Sequence, residues 1–350
     1  MEMSKSASKK ISVLSFIFNM IIVLYHSNIT FETLYYSAFV RRFTSNIWEY
    51  SANIAMSFFF MTSAFLLYNG ADKSNIKAKL KRRIFSVIIP YLVWNSAYFI
   101  ISVLQHGSFP DFYTIIYRYT IDPFDGPLWY LFVITILSFL SPFVLKLKDK
   151  PVFKIAIAVL CLFFAVIYSF NLIERVSGFS EIYIVSYCER LCRYLPSYIV
   201  GAYIGIYRCE LLEQRFNHKI ISILFCVITT FIWCIFGDSL YDSFKFIILL
   251  SSPLFIWCAL DNKVKSVPSF MKNAFIIYAI HRLFLTVILK LVNKMPPFGE
   301  IFNKYIGDII CCLCPFICCL IIWLFVDCMV KILKKLNMKF VLSLLSGGRK

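Results

Sequence analysis

Apolar segments close to membrane-spanning length recur along the whole chain, and they restrict the fold to a bundle of transmembrane helices. Sixty per cent of the 350 residues are hydrophobic, well above the share in soluble domains. The sequence predicts ten segments, at 11–29, 52–69, 84–104, 128–147, 152–171, 194–208, 219–236, 244–260, 272–292 and 306–330. The sixth is the shortest, and its Gly201 and Gly205 are spaced to let a neighbouring helix approach closely.

The cations between these segments predict the orientation of the chain. With the N-terminus in the cytoplasm, most lysines and arginines lie at cytoplasmic helix ends, as the positive-inside rule requires. Omitting the sixth helix would invert everything after it and destroy that asymmetry. We therefore expect an all-α polytopic bundle of about ten helices, with both termini cytoplasmic and residues 1–350 forming one integral-membrane domain.

The same argument explains the formal net charge of +17 without nucleic acid, because the cations flank membrane segments. Most of the thirteen cysteines lie inside apolar segments. The densest group, residues 311–319, has no histidine or carboxylate among its cysteines, so we expect packing in lipid and no metal site.

Two membrane segments carry ionisable side chains at a depth where such groups are costly. His26 lies past the middle of the first segment, and His281 and Arg282 lie near the middle of the ninth. A neutral imidazole can take a proton from a hydroxyl group and return it, provided that a partner orients the ring. The alternative for His26 is an interfacial histidine that only forms a hydrogen bond to another helix.

Two further stretches suit a substrate site, although each has an ordinary explanation. The cationic stretch at 79–83 includes Lys79, Arg82 and Arg83, and it enters the third helix from the cytoplasm, where it can bind phosphates or merely set the orientation. Trp129 and Tyr130 begin the fourth helix, where they can stack on a sugar ring or anchor the helix at the interface.

Taken in order, five stretches resemble the acyltransferase-3 family of bacterial membrane proteins, which O-acylate surface polysaccharides. The matching sequences are VLYHS, FFFMTSAFLLY, RRIFSVIIPYLVW, PLWYLFVI and IIYAIHRLFL. They follow the order of the family, and the resemblance extends over essentially the whole chain.

The resemblance implies transfer of an acyl group, usually acetyl from acetyl-CoA, to a hydroxyl of an O-antigen, capsule or exopolysaccharide unit at the inner membrane. The resemblance matches His26 and His281 to histidines of the family, for which we expect catalytic roles, and it matches Arg83 to an arginine before the third helix. From the residues themselves we add Lys79, Arg82 and Arg282 as candidates for donor binding, and Trp129 and Tyr130 as the candidate acceptor side. We expect acyl-CoA as co-substrate, a surface or lipid-linked glycan as partner, and no bound cofactor.

The chain departs from the family pattern at two positions. The basic residue common before the first-helix histidine is replaced by Ser15, and the second arginine of the third-helix pair falls near Ser86. Lys10, Arg82 and Arg282 are candidates to replace them. Two alternatives stay open. One is an exporter or flippase for a glycan or lipid-linked sugar, which would use the same polar residues and outer aromatics; the other, which Ser15 favours, is a catalytically inactive relative that assists an assembly complex.

Overall fold

Every regular element in the described part of the chain is a helix, which confirms the expected all-α class. The computed structural model describes residues 3–169, 183–208, 219–237, 240–260, 264, 266–296, 298–301 and 303–348. The first helices are α1 (Lys5–Phe31), α2 (Ala38–Tyr68), α3 (Ile76–Arg83), α4 (Ile89–His106), α5 (Phe112–Thr120), α6 (Trp129–Phe139), α7 (Ser141–Leu147) and α8 (Pro151–Ser169). The remaining helices are α9 (Tyr183–Tyr207), α10 (Lys219–Phe236), α11 (Asp242–Ala259), α12 (Ala274–Val292), α13 (Phe298–Ile301), α14 (Lys304–Lys335) and α15 (Lys339–Ser346).

Eight helices in the described residues are long and apolar enough to cross a membrane, or nine if α6 and α7 form one bent span. This is below the ten that we expected from the sequence. The sixth expected segment, 194–208, is helical and lies within the 25-residue helix α9, but α9 does not meet the apolarity criterion for a span. Its arginines and tyrosines make α9 less apolar than the other long helices. The fifth expected segment, 152–171, runs two residues beyond the described end of α8.

The segment expected at 128–147 is not one straight helix. A 3-10 turn, Gly126–Leu128, leads into α6, and the axis then bends by 42° between α6 and α7. The break falls at Pro142, which lies in the first turn of α7. Proline lacks the backbone N–H of a helix interior, and its ring collides with the preceding turn, so a bend at this position is expected.

Helix α1 lies in the interior of the bundle, where it packs against α2, α12 and α14. Helix α2 has 31 residues and, at about 1.5 Å per residue, exceeds the thickness of the hydrocarbon core. It packs along α9, and Gly201 of α9 lies directly against the backbone of Met61 in α2. The close approach that the Gly201 and Gly205 spacing predicts is therefore present.

A π-helical turn, Ile84–Ile88, joins α3 to α4 and ends two residues before Pro90. This proline would collide with the carbonyl of Ser86 in a regular helix, and a wider turn relieves the collision. The C-terminal helix α15 packs against α4 at this point. Gly347, with φ at +68°, follows α15, and a Cβ there would lie 2.8 Å from Cγ of Pro90.

Candidate functional site

Two cavities lie one after the other along α1, and they contain most of the residues that the sequence singles out. The first, called here the Arg83 cavity, has a volume of about 320 Å³ and is reached from α1 by Ser12, Ser15 and Asn19. The second, called the His26 cavity, has a volume of about 440 Å³ and begins further along the same helix. Because α1 rises about 1.5 Å per residue, Ser15 and His26 are roughly 16 Å apart along its axis.

Ile22, Met56 and Tyr278 line both cavities and form a wall between them. The three side chains come from α1, α2 and α12, so three different helices set the width of this wall. The hydroxyl of Tyr278 donates a hydrogen bond to the carbonyl of Pro127, which holds the ring in place. The wall is therefore thin, since each of the three helices contributes a single side chain to it. One of the three, Tyr278, is held by a hydrogen bond.

The structure brings the rings of His26 and His281 close together. Their ring centroids lie 5.2 Å apart with an angle of 35° between the ring planes. His281 is completely buried, and its Nδ1 contacts the carbonyl of Tyr278. A carbonyl oxygen only accepts, so Nδ1 carries the proton and Nε2 of neutral His281 is unprotonated. Among the described residues this Nε2 has no hydrogen-bond partner.

Only His26 of this pair lines the cavity, and it is partly exposed. His281 packs behind it and restricts the ring. The imidazole of His26 is therefore open to a ligand, and the imidazole of His281 packs against it. This arrangement suits a general base whose ring is held in one orientation by a neighbour.

Arg282 lines the His26 cavity and not the Arg83 cavity, in contrast to its predicted grouping with the donor-binding residues. Its Nε lies 3.6 Å from Oδ1 of Asp125, a carboxylate that is almost fully buried before the turn that leads to α6. Burial raises the pKa of the Asp125 carboxyl to about 7, and the Arg282 guanidinium opposes that shift. The Arg282 guanidinium is therefore held next to a carboxyl group whose ionisation is disfavoured by burial.

Arg190 and Arg193 also line the His26 cavity, and sequence reasoning missed both. We expected them in an outer loop before a helix at 194–208, but they belong to α9, which begins at Tyr183. Nη1 of Arg193 lies 3.4 Å from Oδ1 of Asn53, which also accepts from the hydroxyl of Tyr194. The signal in the sequence is the three-residue spacing of the arginines, which places both on one helix face.

Arg83 is the member of the 79–83 cluster that enters a cavity. Its Nη1 donates to Oγ of Ser63 at 2.8 Å, and its Nη2 donates to the carbonyl of the same residue. Lys79 instead donates to the carbonyls of Leu67, at 3.1 Å, and Asn69, at the end of α2. Arg82 is exposed and lines neither cavity.

Trp129 and Tyr130, predicted together as the acceptor side, point into different cavities. Trp129 lines the His26 cavity, with its ring centroid 5.9 Å from that of Phe60. Tyr130 lines the Arg83 cavity, and its hydroxyl donates to the carbonyl of Phe59 at 3.0 Å. Adjacent residues on a helix point about 100° apart, so one turn of α6 can serve both cavities.

The structure also shows the surroundings of Ser15 and of Lys10, one of its candidate replacements. Ser15 lines the Arg83 cavity, where Lys272 provides a second cationic side chain that the sequence argument overlooked. Lys10 is tied to the end of α11, because its Nζ donates to the carbonyls of Trp257 at 2.6 Å and Leu260 at 2.8 Å. Lys10 is therefore not available to replace the basic residue missing at Ser15.

In the part of the chain that the structure describes, no three histidine, cysteine or acidic side chains are grouped to hold a metal ion. Cys311, Cys318 and Cys319 are buried in the interior that α14 shares with α1.

Residues 10–325 match the model of a protein family described as an acyltransferase domain, and the match covers well over half of the chain. No curated protein and no solved structure matches the chain.

Proposed function

Because this chain belongs to the acyltransferase-3 family, we propose that it is a membrane O-acetyltransferase that transfers acetyl from acetyl-CoA to a hydroxyl of a cell-surface glycan. The acceptor in this proposal is an O-antigen, capsule or exopolysaccharide unit, free or lipid-linked, and the enzyme is a multi-pass protein of the inner membrane. The observation that carries the proposal is the thin wall of Ile22, Met56 and Tyr278 between a cationic cavity and a histidine cavity.

The Arg83 cavity suits the donor. Ser63 engages two of the guanidinium nitrogens of Arg83 and fixes the group in one orientation, while further N–H donors remain for a ligand. Guanidinium groups bind phosphate oxygens with paired hydrogen bonds, and Lys272 adds a second positive charge. Coenzyme A carries several phosphates on a long flexible arm, so its thioester can extend from this cavity towards the wall.

The His26 cavity suits the acceptor and the proton transfer. The hydroxyl proton of the sugar moves to a ring nitrogen of His26, and the oxygen attacks the carbonyl carbon of the acetyl thioester. The carbon–sulfur bond then breaks, and His26 returns the proton to the departing thiolate of coenzyme A. The products are an O-acetyl ester and free coenzyme A. His281 positions His26 throughout, as a residue packed against the ring.

The decisive experiment is proton NMR of surface polysaccharide from cells with and without this protein, before and after mild alkali, which removes O-esters. An alkali-labile acetyl signal that depends on the protein supports the proposal and identifies the sugar position. The His26→Ala variant should lose this signal, since general-base catalysis is worth about 100- to 10,000-fold in rate.

His106→Ala is the matched control, because His106 is exposed at the end of α4 and bonds to the carbonyl of Ser102. Both variants are compared at equal abundance in isolated membranes. Retained acetylation in His26→Ala would remove His26 from the mechanism. Unchanged ester content with less total glycan would instead indicate an exporter, and a deletion phenotype that His26→Ala does not reproduce would indicate an inactive relative.

A further inference from the structure

We infer that the acceptor glycan carries an anionic group, a carboxylate or a phosphate, on the acetylated sugar or its neighbour, and that this group binds Arg193 in the His26 cavity. The inference rests on the proposed function, and it adds the chemical class of the acceptor.

Arg193 is fixed in position before any ligand arrives. Its Nη1 lies 3.4 Å from Oδ1 of Asn53, and its guanidinium carbon lies 5.1 Å from the ring centroid of Tyr168. Tyr194, next in the chain, donates to the same Asn53 oxygen and so fixes this amide as an acceptor. Asn53 contacts one edge of the Arg193 guanidinium, and the ring of Tyr168 lies against the group. The remaining N–H groups therefore point in a defined direction.

One of those N–H groups is buried without a partner. Nε of Arg193 has no hydrogen-bond acceptor among the described residues, although the arginine lines the His26 cavity. A buried polar group without a partner costs stability, and such groups in native proteins usually mark a position that a ligand or a water completes. An oxyanion in the cavity would supply the missing acceptor, with a charge-assisted bond.

The charges around the cavity favour an anion. Arg190 and Arg282 line it together with Arg193, whereas Glu49 is the acidic side chain in its lining. Asp125 lies 3.6 Å from Arg282 behind the lining. The guanidinium of Arg190 lies 5.7 Å from the ring centroid of Trp129, so its positive charge lies beside an aromatic ring that also lines the cavity. The excess of guanidinium groups in a site of low dielectric attracts an anionic ligand.

The remaining lining suits a sugar that carries the anion. Trp129 and Tyr25 supply aromatic surface against which a pyranose ring can pack. The volume of about 440 Å³ falls in the range of small-ligand pockets. His26 lies in the same lining, so a sugar bound by its anion at Arg193 has its hydroxyl groups within the space that the imidazole faces.

The test uses the full-length protein in proteoliposomes with acetyl-CoA. The acceptor is the polysaccharide that gains the ester in the NMR experiment, freed of its esters by mild alkali. It is compared with the same polysaccharide after carbodiimide and borohydride reduction of its carboxylates, or after hydrofluoric acid removal of its phosphates. We expect kcat/KM to fall by about tenfold or more on the neutralised acceptor, the size of a lost hydrogen bond to a charged group.

Arg193→Gln should remove this preference, with kcat/KM about tenfold lower on the charged acceptor and little changed on the neutral one. Arg193→Lys keeps the positive charge but loses the planar set of guanidinium N–H donors, so its kcat/KM on the charged acceptor should lie between those of the wild type and Arg193→Gln. Arg208→Gln is the matched control, because Arg208 is exposed directly after α9 and lines neither cavity.

Two results would overturn the inference: a wild-type enzyme that acetylates charged and neutralised acceptors at equal kcat/KM, or an acetylated repeat unit with no anionic group. Both would leave the proposed acetyl transfer intact. The comparison of acceptors uses the wild-type protein alone, so it decides the question even if an Arg193 variant fails to fold. Loss of the proposed function would show separately, as the absence of any protein-dependent ester.

Discussion

Replacement of Gly201 by alanine should force α9 away from α2. A Cβ at this position would lie 2.0 Å from the carbonyl oxygen of Met61 and 2.7 Å from its carbonyl carbon. Ordinary contact begins at 3.4 Å, so the two backbones would have to separate by about 1.4 Å. Met61 contributes backbone atoms here, and no side chain can rotate away to make room.

The size of the effect follows from two opposing terms. Overpacking in a close-packed interior costs typically about 1–3 kcal/mol, and the backbone contact places Gly201→Ala at the upper end. Alanine in place of glycine returns about 0.8–1 kcal/mol of helix propensity. We therefore expect a net loss of about 2 kcal/mol in the free energy of unfolding.

Gly205→Ala is the graded control, one helical turn further along α9. Its Cβ would lie 3.0 Å from the carbonyl oxygen of Phe65, 3.1 Å from the backbone nitrogen of Asn69 and 3.3 Å from Cβ of Tyr68, and a shift of a few tenths of an ångström would relieve these contacts. The packing cost of about 1 kcal/mol is then nearly cancelled by the gain in propensity. The stability of Gly205→Ala should therefore be close to that of the wild type.

The assay is thermal unfolding of each detergent-solubilised protein, followed by size-exclusion chromatography of a fluorescent fusion, with glycan acetylation as a second readout. Gly201→Ala should melt several degrees lower and also lose activity. The reason for the lost activity is that α9 carries Arg193 and Tyr194, which are aligned by Asn53 of α2. A displacement of about 1 Å in an active site can cost on the order of 100-fold in rate. A Gly201→Ala protein that melts with or above Gly205→Ala would refute the close contact.

Other expectations concern the wall and the cationic cluster. Met56→Ala should widen the wall and raise the rate with butyryl-CoA relative to acetyl-CoA, measured as the ratio of the two kcat/KM values; an unchanged ratio would show that the wall does not select the acyl group. Arg83→Gln should raise KM for acetyl-CoA by about tenfold or more, since a bond to a charged phosphate is lost. Lys79→Gln should lower the melting temperature and change the KM for acetyl-CoA by no more than about twofold, because Lys79 forms hydrogen bonds to the end of α2. An equal rise in KM for Arg83→Gln and Lys79→Gln would contradict these separate roles of Arg83 and Lys79.

The membrane helices were predictable from the sequence because hydropathy reports burial in lipid, but their ends were not. Helix α2 begins at Ala38, fourteen residues before the apolar segment at 52–69. The hydropathy pattern misses this start because the part of the helix before residue 52 carries Arg41, Arg42 and Glu49. A helix that continues beyond the hydrocarbon core gives no hydropathy signal. The same limit hid the first half of α9, and with it Arg190 and Arg193.

The sequence points to candidate site residues where an ionisable side chain lies within an apolar helix. It does not predict which cavity each side chain enters. His26 and His281 are ionisable groups deep in apolar helices, and the structure brings their rings within 5.2 Å. Which cavity a side chain enters depends on helix rotation and on competing partners. Arg282, for example, lines the His26 cavity. Lys79 instead donates its hydrogen bonds to carbonyls at the end of α2.

The wall of Ile22, Met56 and Tyr278 also bears on how a membrane stays sealed during such a reaction. A water-filled passage between the two cavities would let protons and other ions leak and would dissipate the gradients that the membrane maintains. In the proposed reaction the two substrates would approach from separate cavities, and only the small acyl end of one would have to reach the other. A membrane that carried out the proposed reaction in this way would remain an insulator throughout, without the alternating gates that a transporter of whole molecules requires.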